Sequence, residues 1–385
     1  MAPRILFWTS LILLAYTFLG YQLLISLLAR FRHRPAPPTA HPTGRPAVLI
    51  VAHNEEARIR SRIENLRATP LPLHITVCSD GSSDSTAAQA RLAGAHVFDF
   101  PARRGKAACL SDVIPTLDAS ILILTDSRQQ FTPATIPSLL RHFADPSVGA
   151  VSGLLRIGDP SSSAAAGIDL YWKMETAIRQ AESQFDSCIG CTGAVYAIRR
   201  PLFRPIPSDT TLDDVVVPMQ IALAGYRILY DSQAQAFDPQ PLDTRSETRR
   251  KGRTLAGNFQ MLLRYPSWLL PWKNRLAWQL ISHKYLRLAG PLILICILAS
   301  NTCLLSHPFY CACFALQFLL YLLAAIGLAL PSLRIRLVTI PAGFLFLNLM
   351  TLRGFLRYIL APPGGAWDSR TPGSTPPQSP STLCP

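Results

Sequence analysis

Between residues 47 and 126 four aliphatic runs recur, and each closes on polar side chains. They are Ala47-Val48-Leu49-Ile50-Val51, Ile75-Thr76-Val77-Cys78, Ala95-His96-Val97-Phe98 and Ile121-Leu122-Ile123-Leu124. Apolar runs this short read as strands buried on both faces. Helical stretches separate them; one opens at Asn54-Glu55-Glu56 and runs through Leu66, and an Ala-rich one follows Thr86. This rhythm predicts right-handed βαβ units and a mostly parallel sheet in an α/β domain. Ligands of such sheets sit beyond the carboxyl ends of the strands. There the sequence places Asn54 and Glu55, then Asp80, then Arg103 to Lys106, then Asp126. Carboxylates and cations around one crevice suit a metal-bound or phosphate-bearing ligand. A plain capping role for Asp126 would leave the other three strand ends a coincidence. Asp84 reads as an N-cap for the helix that follows it.

The two ends of the chain have a different character. Residues 5–28 are almost wholly apolar and exceed the ~20 residues that cross a bilayer. No small-residue cleavage site follows, so the run reads as a span rather than a signal peptide. Arg30, Arg32 and Arg34 come after it and Arg4 before it, which predicts a cytoplasmic domain next. Residues 35–45, rich in Pro, Thr and His, read as a linker. In 266–290, Trp272, Trp278 and Tyr285 mix with Lys273, Arg275, Lys284 and Arg287, the pattern of a helix lying at a membrane interface. Residues 291–305, 309–330 and 337–352 are candidate spans, and the Pro- and Ser-rich segment 361–385 reads as a disordered tail. Counted this way, the last span carries Arg353 and Arg357 to the outer side, against the charge rule. A re-entrant segment or a miscounted span would remove the conflict.

A mean hydropathy of +0.23 comes largely from these ends. The formal charge of +14 fits a membrane-facing protein. Zinc-finger spacing and a basic stripe interleaved with aromatics are both missing from the sequence, which argues against nucleic acid. Paired intramembrane charges are missing too, which argues against a transporter. Nine cysteines form no framework, and Cys188-Ile-Gly-Cys191 is a lone CxxC, so reduced thiols are expected.

Three runs then narrow the reading: Val51-Ala52-His53-Asn54-Glu55-Glu56, Ser79-Asp80-Gly81-Ser82-Ser83-Asp84-Ser85-Thr86 and Arg104-Gly105-Lys106. With Val151-Ser152-Gly153, Thr192-Gly193-Ala194-Val195-Tyr196 and Thr211-Leu212-Asp213-Asp214 they come in the order seen in family-2 glycosyltransferases of GT-A fold. The chain resembles the membrane-embedded branch of that family, which includes cellulose, hyaluronan and poly-N-acetylglucosamine synthases and ceramide glucosyltransferases. The resemblance covers residues 46 to about 260 and the layout of the spans. It implies a Rossmann-like GT-A domain over 46–265, with Glu55 and Asp80 on the base and ribose of a nucleotide and Lys106 nearby. It implies that Asp126 is the first Asp of the metal-binding DxD motif, with Mn2+ or Mg2+ as cofactor. Asp214 matches the catalytic Asp, with Asp213 as the other half of the acidic pair.

Two positions depart from the pattern. Asp126-Ser127-Arg128 has a cation where the second DxD acid belongs, so either the ion rests on Asp126 and the substrate's phosphates, or Arg128 takes over part of the neutralisation. Arg250-Lys251-Gly252-Arg253-Thr254 keeps the Arg of the Gln-x-x-Arg-Trp motif but has Thr254 for its Trp, which weakens the case for polymer synthesis.

Independently of the family, displacing a nucleoside diphosphate from an anomeric carbon needs charge stabilisation on the leaving group and a base for the attacking hydroxyl. Asp126, Lys106 and Arg253 are candidates for the first role and Asp214 for the second. Asp213 and Asp214 also suit a helix N-terminus, where the dipole favours acids. The expected protein is an inverting, membrane-bound glycosyltransferase of the plasma or bacterial inner membrane, moving a sugar from a UDP-sugar to a lipid or saccharide hydroxyl. The rival readings are a processive polysaccharide synthase and a catalytically dead nucleotide-binding scaffold.

Overall fold

The computed structural model describes residues 1–32, 45–160, 163–242, 244–330, 332–333 and 335–360. The expected linker, except Arg45, and the expected tail lie outside these residues. Eight strands form one sheet in the order β3-β2-β1-β4-β7-β6-β8-β5. They are β1 (Pro46–Ala52), β2 (His74–Asp80), β3 (His96–Phe100), β4 (Ile121–Thr125), β5 (Gln130–Phe131), β6 (Val148–Pro160), β7 (Tyr196–Arg199) and β8 (Arg227–Leu242).

The first four strands are parallel, as their spacing predicts. Strands β6 and β8 also pair in parallel, so most pairings follow the expectation of a mostly parallel sheet, with three exceptions. Strand β7 runs antiparallel to both β4 and β6, and β5 antiparallel to β8. The sheet is mixed. Strand β1 is buried on both faces: Ala47, Leu49 and Val51 join one core cluster, and Val48, Ile50 and Ala52 the other. The period of two in a strand sends alternate side chains to opposite layers.

The helices of this domain are α2 (Glu56–Arg67), α3 (Thr86–Leu92), α4 (Lys106–Val113), α5 (Thr135–Arg141), α6 (Ser163–Phe185), α7 (Asp213–Leu223) and α8 (Thr244–Arg264). The first of them starts beside α3, and their N-termini are stapled reciprocally. The Asp84 carboxylate accepts from Glu56 N (3.2 Å) and Thr86 N (2.9 Å), while Glu56 Oε2 accepts from Ser85 N (3.0 Å). Asp84 thus caps two helices rather than the one expected. Burial opposes ionisation there, but these hydrogen bonds hold its carboxyl below the ordinary range.

Among the described residues three helices are long and apolar enough to cross a membrane: α1 (Ala2–Arg30), α11 (Pro308–Ala329) and α12 (Arg336–Leu360). The pair α9 (Ala277–Leu288) and α10 (Gly290–Thr302), bent by 60°, is a fourth candidate. The single interfacial helix expected over 266–290 is instead a short 3-10 turn (Pro266–Leu269) followed by α9. The last helix runs past the expected end at 352 and packs on α8 and α6 of the sheet domain. Gly354 permits this approach, since a Cβ there would lie 2.6 Å from Leu255 Cβ. Phe355 meets Phe259 with ring centroids 5.2 Å apart. Arg353 and Arg357 therefore lie on the half of α12 that borders α8 of the sheet domain.

Replacing Asp84 with Ala unsatisfies the first turns of α2 and α3 together. At about 1 kcal/mol per lost cap, Asp84→Ala should lower stability by roughly 1–3 kcal/mol, measured as a fall in melting temperature. An unchanged melting temperature would show that water replaces both bonds.

Candidate active site

Each strand end delivers what the sequence places there. After β1, Asn54 takes a left-handed turn (φ 54°) and its Oδ1 accepts from Ser83 N at 2.9 Å. Glu55 N donates to Thr86 Oγ1 (2.8 Å), and the Glu55 carboxylate pairs with Arg58 at 3.0 Å. The first two strand-to-helix turns are thereby tied into one wall.

Asp80 is buried at the end of β2, and both its oxygens are engaged. They accept from Arg104 N (2.6 Å) and Gly105 N (2.9 Å). Gly81 makes the close approach possible: it sits at φ +62°, and a Cβ would fall 2.3 Å from Arg103 N. Asp80 thus fixes the loop that launches Lys106 at the start of α4.

Lys106 is the centre of the site. Its ammonium lies 3.1 Å from Asp126 Oδ1 and 3.4 Å from Asp213 Oδ2. Burial alone would lower its pKa, but Asp126, Asp213 and Asp214 raise it, so the ammonium stays charged. Asp126 stands just past β4, and Asp213 and Asp214 form the first turn of α7. The acidic pair opens the helix, and Asp213 lies beside Lys106.

The two acids differ. Asp213 is 7% exposed, and burial pushes its carboxyl up to about 6, with the Asp214 and Asp126 charges adding to the rise and Lys106 opposing it. Asp214 is half-buried and held from its own backbone outward. Its carbonyl accepts from Cys191 N (2.7 Å) and its Oδ2 from Gly193 N (3.1 Å). Among the described residues its Oδ1 accepts no hydrogen bond.

Arg128 does not project alone into the crevice. Its Nη2 donates to Asp238 Oδ2 at 2.6 Å, and Gln129 Nε2 reaches the same oxygen at 3.3 Å. Asp238, on β8 and 1% exposed, is a carboxylate the sequence reading missed; nothing in the local pattern marks it. Arg250 lies within electrostatic reach of Asp238, Arg128 and Arg253, so the basic face of α8 turns toward this corner. Arg253 itself is exposed. The CxxC thiols, Cys188 and Cys191, are unpaired and buried, and burial pushes both up.

The donor set is hard oxygen, which suits Mg2+ or Mn2+. Among the described residues no three His, Cys, Asp or Glu side chains are grouped to hold a metal. The carboxylates do outnumber the single cation, Lys106, that lies between Asp126 and Asp213. A divalent ion fits here on Asp126 with its remaining ligands drawn from a bound diphosphate, and does not fit as a protein-only site.

Residues 47–206 match the family described as Glycosyl transferase family 2. Over 246 residues, 56% of the chain, it is 27% identical to the poly-beta-1,6-N-acetyl-D-glucosamine synthase of Staphylococcus aureus (strain COL) and covers 55% of that protein. It is 28% identical over 107 residues to Protein RfbJ of Shigella flexneri, covering 28% of this chain and 82% of the other. The chain spans about half the length of the synthases it matches. The mannosyltransferase PcManGT from Pyrobaculum calidifontis, solved with GDP-Man and Mn2+, matches with a TM-score of 0.66 at 22% identity, over 90% of this chain and 99% of that one. That likeness establishes the fold.

The Asp213 shift has a measurable sign. The folded protein keeps a proton that the unfolded chain gives up near 3.8, so this contribution to stability is complete below that pH and lost as pH rises through about 6. Asp213→Asn should therefore gain on wild type between pH 4 and 7, by up to ~3 kcal/mol for a shift of about two units. A stability difference independent of pH would contradict the buried, ionising Asp213.

Proposed function

We propose that this chain, a family-2 glycosyltransferase with the GT-A fold, is an inverting, membrane-embedded enzyme that moves one sugar from a nucleoside-diphosphate donor to a hydroxyl acceptor. The observation that carries the reading is the convergence of Asp126, Lys106 and the Asp213–Asp214 pair at one edge of the sheet, beside the loop that Asp80 holds. Glu55 lines the end of the crevice that takes the base and ribose, and Asp80 shapes that end from beneath by holding the Arg104–Gly105 backbone. A UDP-sugar is the proposed donor, and a lipid or saccharide the proposed acceptor.

In this reaction the acceptor oxygen attacks the anomeric carbon from the face opposite the leaving group. Its proton passes to the Asp214 carboxylate, held by Gly193 N so that Oδ1 is presented to the crevice. The bond from the anomeric carbon to the diphosphate breaks, and the electron pair leaves with the nucleoside diphosphate. Lys106 and Arg253 offset the growing charge, with Arg128 contributing from its place on Asp238. When bound at Asp126, a divalent cation would add Lewis-acid neutralisation of the diphosphate.

The half of α12 carrying Arg353 and Arg357 borders the sheet domain, and Arg32 lies over the Phe185 ring, so the excess of cations supports a cytoplasmic catalytic domain. The second reading, a processive synthase, is favoured by the sequence match to the staphylococcal synthase. Single transfer is favoured by Thr254, which stands where the Gln-x-x-Arg-Trp motif has its Trp.

Two measurements test the roles. Asp214→Asn keeps the shape but cannot take the proton, so transfer should fall by ~10²–10⁴-fold, the usual contribution of a positioned base, with donor affinity preserved. Asp213→Asn should cost much less; the reverse order would refute the assignment.

For the cation, Asp126→Asn should abolish the Mn2+-dependent part of UDP-N-acetylglucosamine or GDP-mannose binding in calorimetry. Binding that keeps its metal dependence in the variant would remove Asp126 from the site.

A further inference from the structure

Beneath the Asp214 turn lies a buried polar cluster that the transfer reaction does not itself use. Glu175, Arg179 and Glu182 stand at spacings of four and three on α6, hence on one face of it. Across from them is His283, in a π-helical turn (Ile281–Tyr285) within α9. His283 Nε2 lies 2.9 Å from Glu175 Oε2 and Nδ1 lies 2.9 Å from Glu182 Oε1. Each ring nitrogen thus faces an oxygen of a different carboxyl group. Arg287 and Arg179 also reach Glu175, at 2.9 Å and 3.3 Å. Burial works against the charge on Glu175, but His283, Arg287 and Arg179 together hold its carboxyl well below the usual range.

The third wall of the cluster comes from the first helix of the chain. Tyr21, 0% exposed, donates its hydroxyl to Glu182 Oε1 at 2.6 Å. It lies one residue past a second π-helical turn, Tyr16–Gly20, and the two π turns face each other. Tyr16 Oη is 2.8 Å from Ser282 Oγ and accepts from Trp278 Nε1 at 2.9 Å. A π turn inserts a residue and re-aims the side chains around it, and such turns concentrate at functional sites. Here they bring Tyr21 and His283 to the same carboxylate.

The opposite side of the cluster touches the base. Arg179 Nη1 donates to Thr192 Oγ1 at 2.8 Å, and Thr192 N donates to Ser152 Oγ at 2.9 Å. The next residue, Gly193, gives its N–H to Asp214 Oδ2, and Cys191 gives its N–H to the Asp214 carbonyl. An unbroken run of contacts therefore links Tyr21 in α1 through Glu182, His283, Glu175, Arg179 and Thr192 to the turn that cradles Asp214. The cavity of about 10 Å³ against Glu182, His283 and Lys284 has room for a single water. Glu182 Oε2, buried without a partner, is the natural acceptor for it.

We propose that Tyr21, Glu182 and His283 are positioning residues for glycosyl transfer, and that the N-terminal helix is a working part of the catalytic site rather than an anchor alone. This rests on the reading of Asp214 as the base. The cluster touches neither donor nor anomeric carbon; it fixes where the Gly190–Gly193 turn holds the Asp214 carboxylate. Loosening it lowers kcat and leaves donor affinity in place.

The test uses the full chain in lipid nanodiscs, turning over whichever of UDP-N-acetylglucosamine, UDP-glucose or GDP-mannose the wild type accepts. Tyr21→Phe removes one hydroxyl and keeps the ring. It should lower kcat about 10-fold, a loss in keeping with one hydrogen bond to a charged group, with the donor KM within a factor of about two of wild type. His283→Gln should do the same; if that variant melts early, Tyr21→Phe still decides. The double variant Tyr21→Phe/Asp214→Asn should be no slower than Asp214→Asn alone, because a base that is gone cannot be mispositioned.

Equal losses from Tyr21→Phe in both backgrounds would overturn the proposal, as would an unchanged kcat or a rise in donor KM that accounts for the whole effect. Near-normal transfer by Asp214→Asn would overturn the base assignment instead, so the two failures are distinct.

Discussion

The ammonium of Lys106, set between Asp126 and Asp213 with Asp214 alongside, is the interaction on which the site depends. Carboxylates brought this close without a cation repel by about 4 kcal/mol per pair at 4 Å, taking an effective dielectric of 20. Lys106 lets β4 and the first turn of α7 approach the same point of the sheet edge. It reaches that point because Asp80 holds the Arg104–Gly105 backbone, and Gly81 allows the two loops to touch. The mixed character of the sheet follows from the same demand. Antiparallel β7, paired with β4, places the Thr192–Gly193 turn next to Asp126 and under Asp214.

The first four strands were legible because each is a short aliphatic run ending in charge, and two-sided burial leaves that signature. The direction of β7 was not legible, since a run such as Tyr196-Ala197-Ile198-Arg199 carries no mark of pairing sense. Asp126, Lys106 and the Asp213–Asp214 pair were legible one by one. Their meeting was not, because residues 106 and 213 come together only through the closure of the whole sheet. Arg128 illustrates the limit: its departure from the expected acid stands out in the sequence, but the Asp238 that faces it lies 110 positions away, on another strand. Glu175, Arg179 and Glu182 share a helix face that spacing alone could have revealed. Their partners His283 and Tyr21 depend on two π turns, and no periodicity forecasts these.

The apolar helices and the sheet domain are not separate bodies joined by a tether. One helix of the sheet domain, α6, meets α1 on one side and α12 on another. The buried charges on its inner face are tolerated because each carboxylate finds a cation or hydroxyl from a different element. Polar groups buried so completely define a single relative placement of the parts, whereas an apolar seam of the same area would tolerate sliding. Architecture and chemistry meet at the Gly190–Gly193 turn, which takes its support from below and presents Asp214 above.

The division of labour among the three acids makes a stereochemical demand. With Asp213 held beside Lys106 and Asp126 proposed to face the diphosphate, the proposal leaves Asp214 as the acting carboxylate, a base rather than a nucleophile. The most direct measurement is the anomeric configuration of the first product, followed by NMR during turnover of an α-linked nucleotide-sugar by the full-length protein. The account predicts a β-linked product from the earliest time point. An α-linked product would mean a double displacement or front-side attack, and would contradict the role given to Asp214.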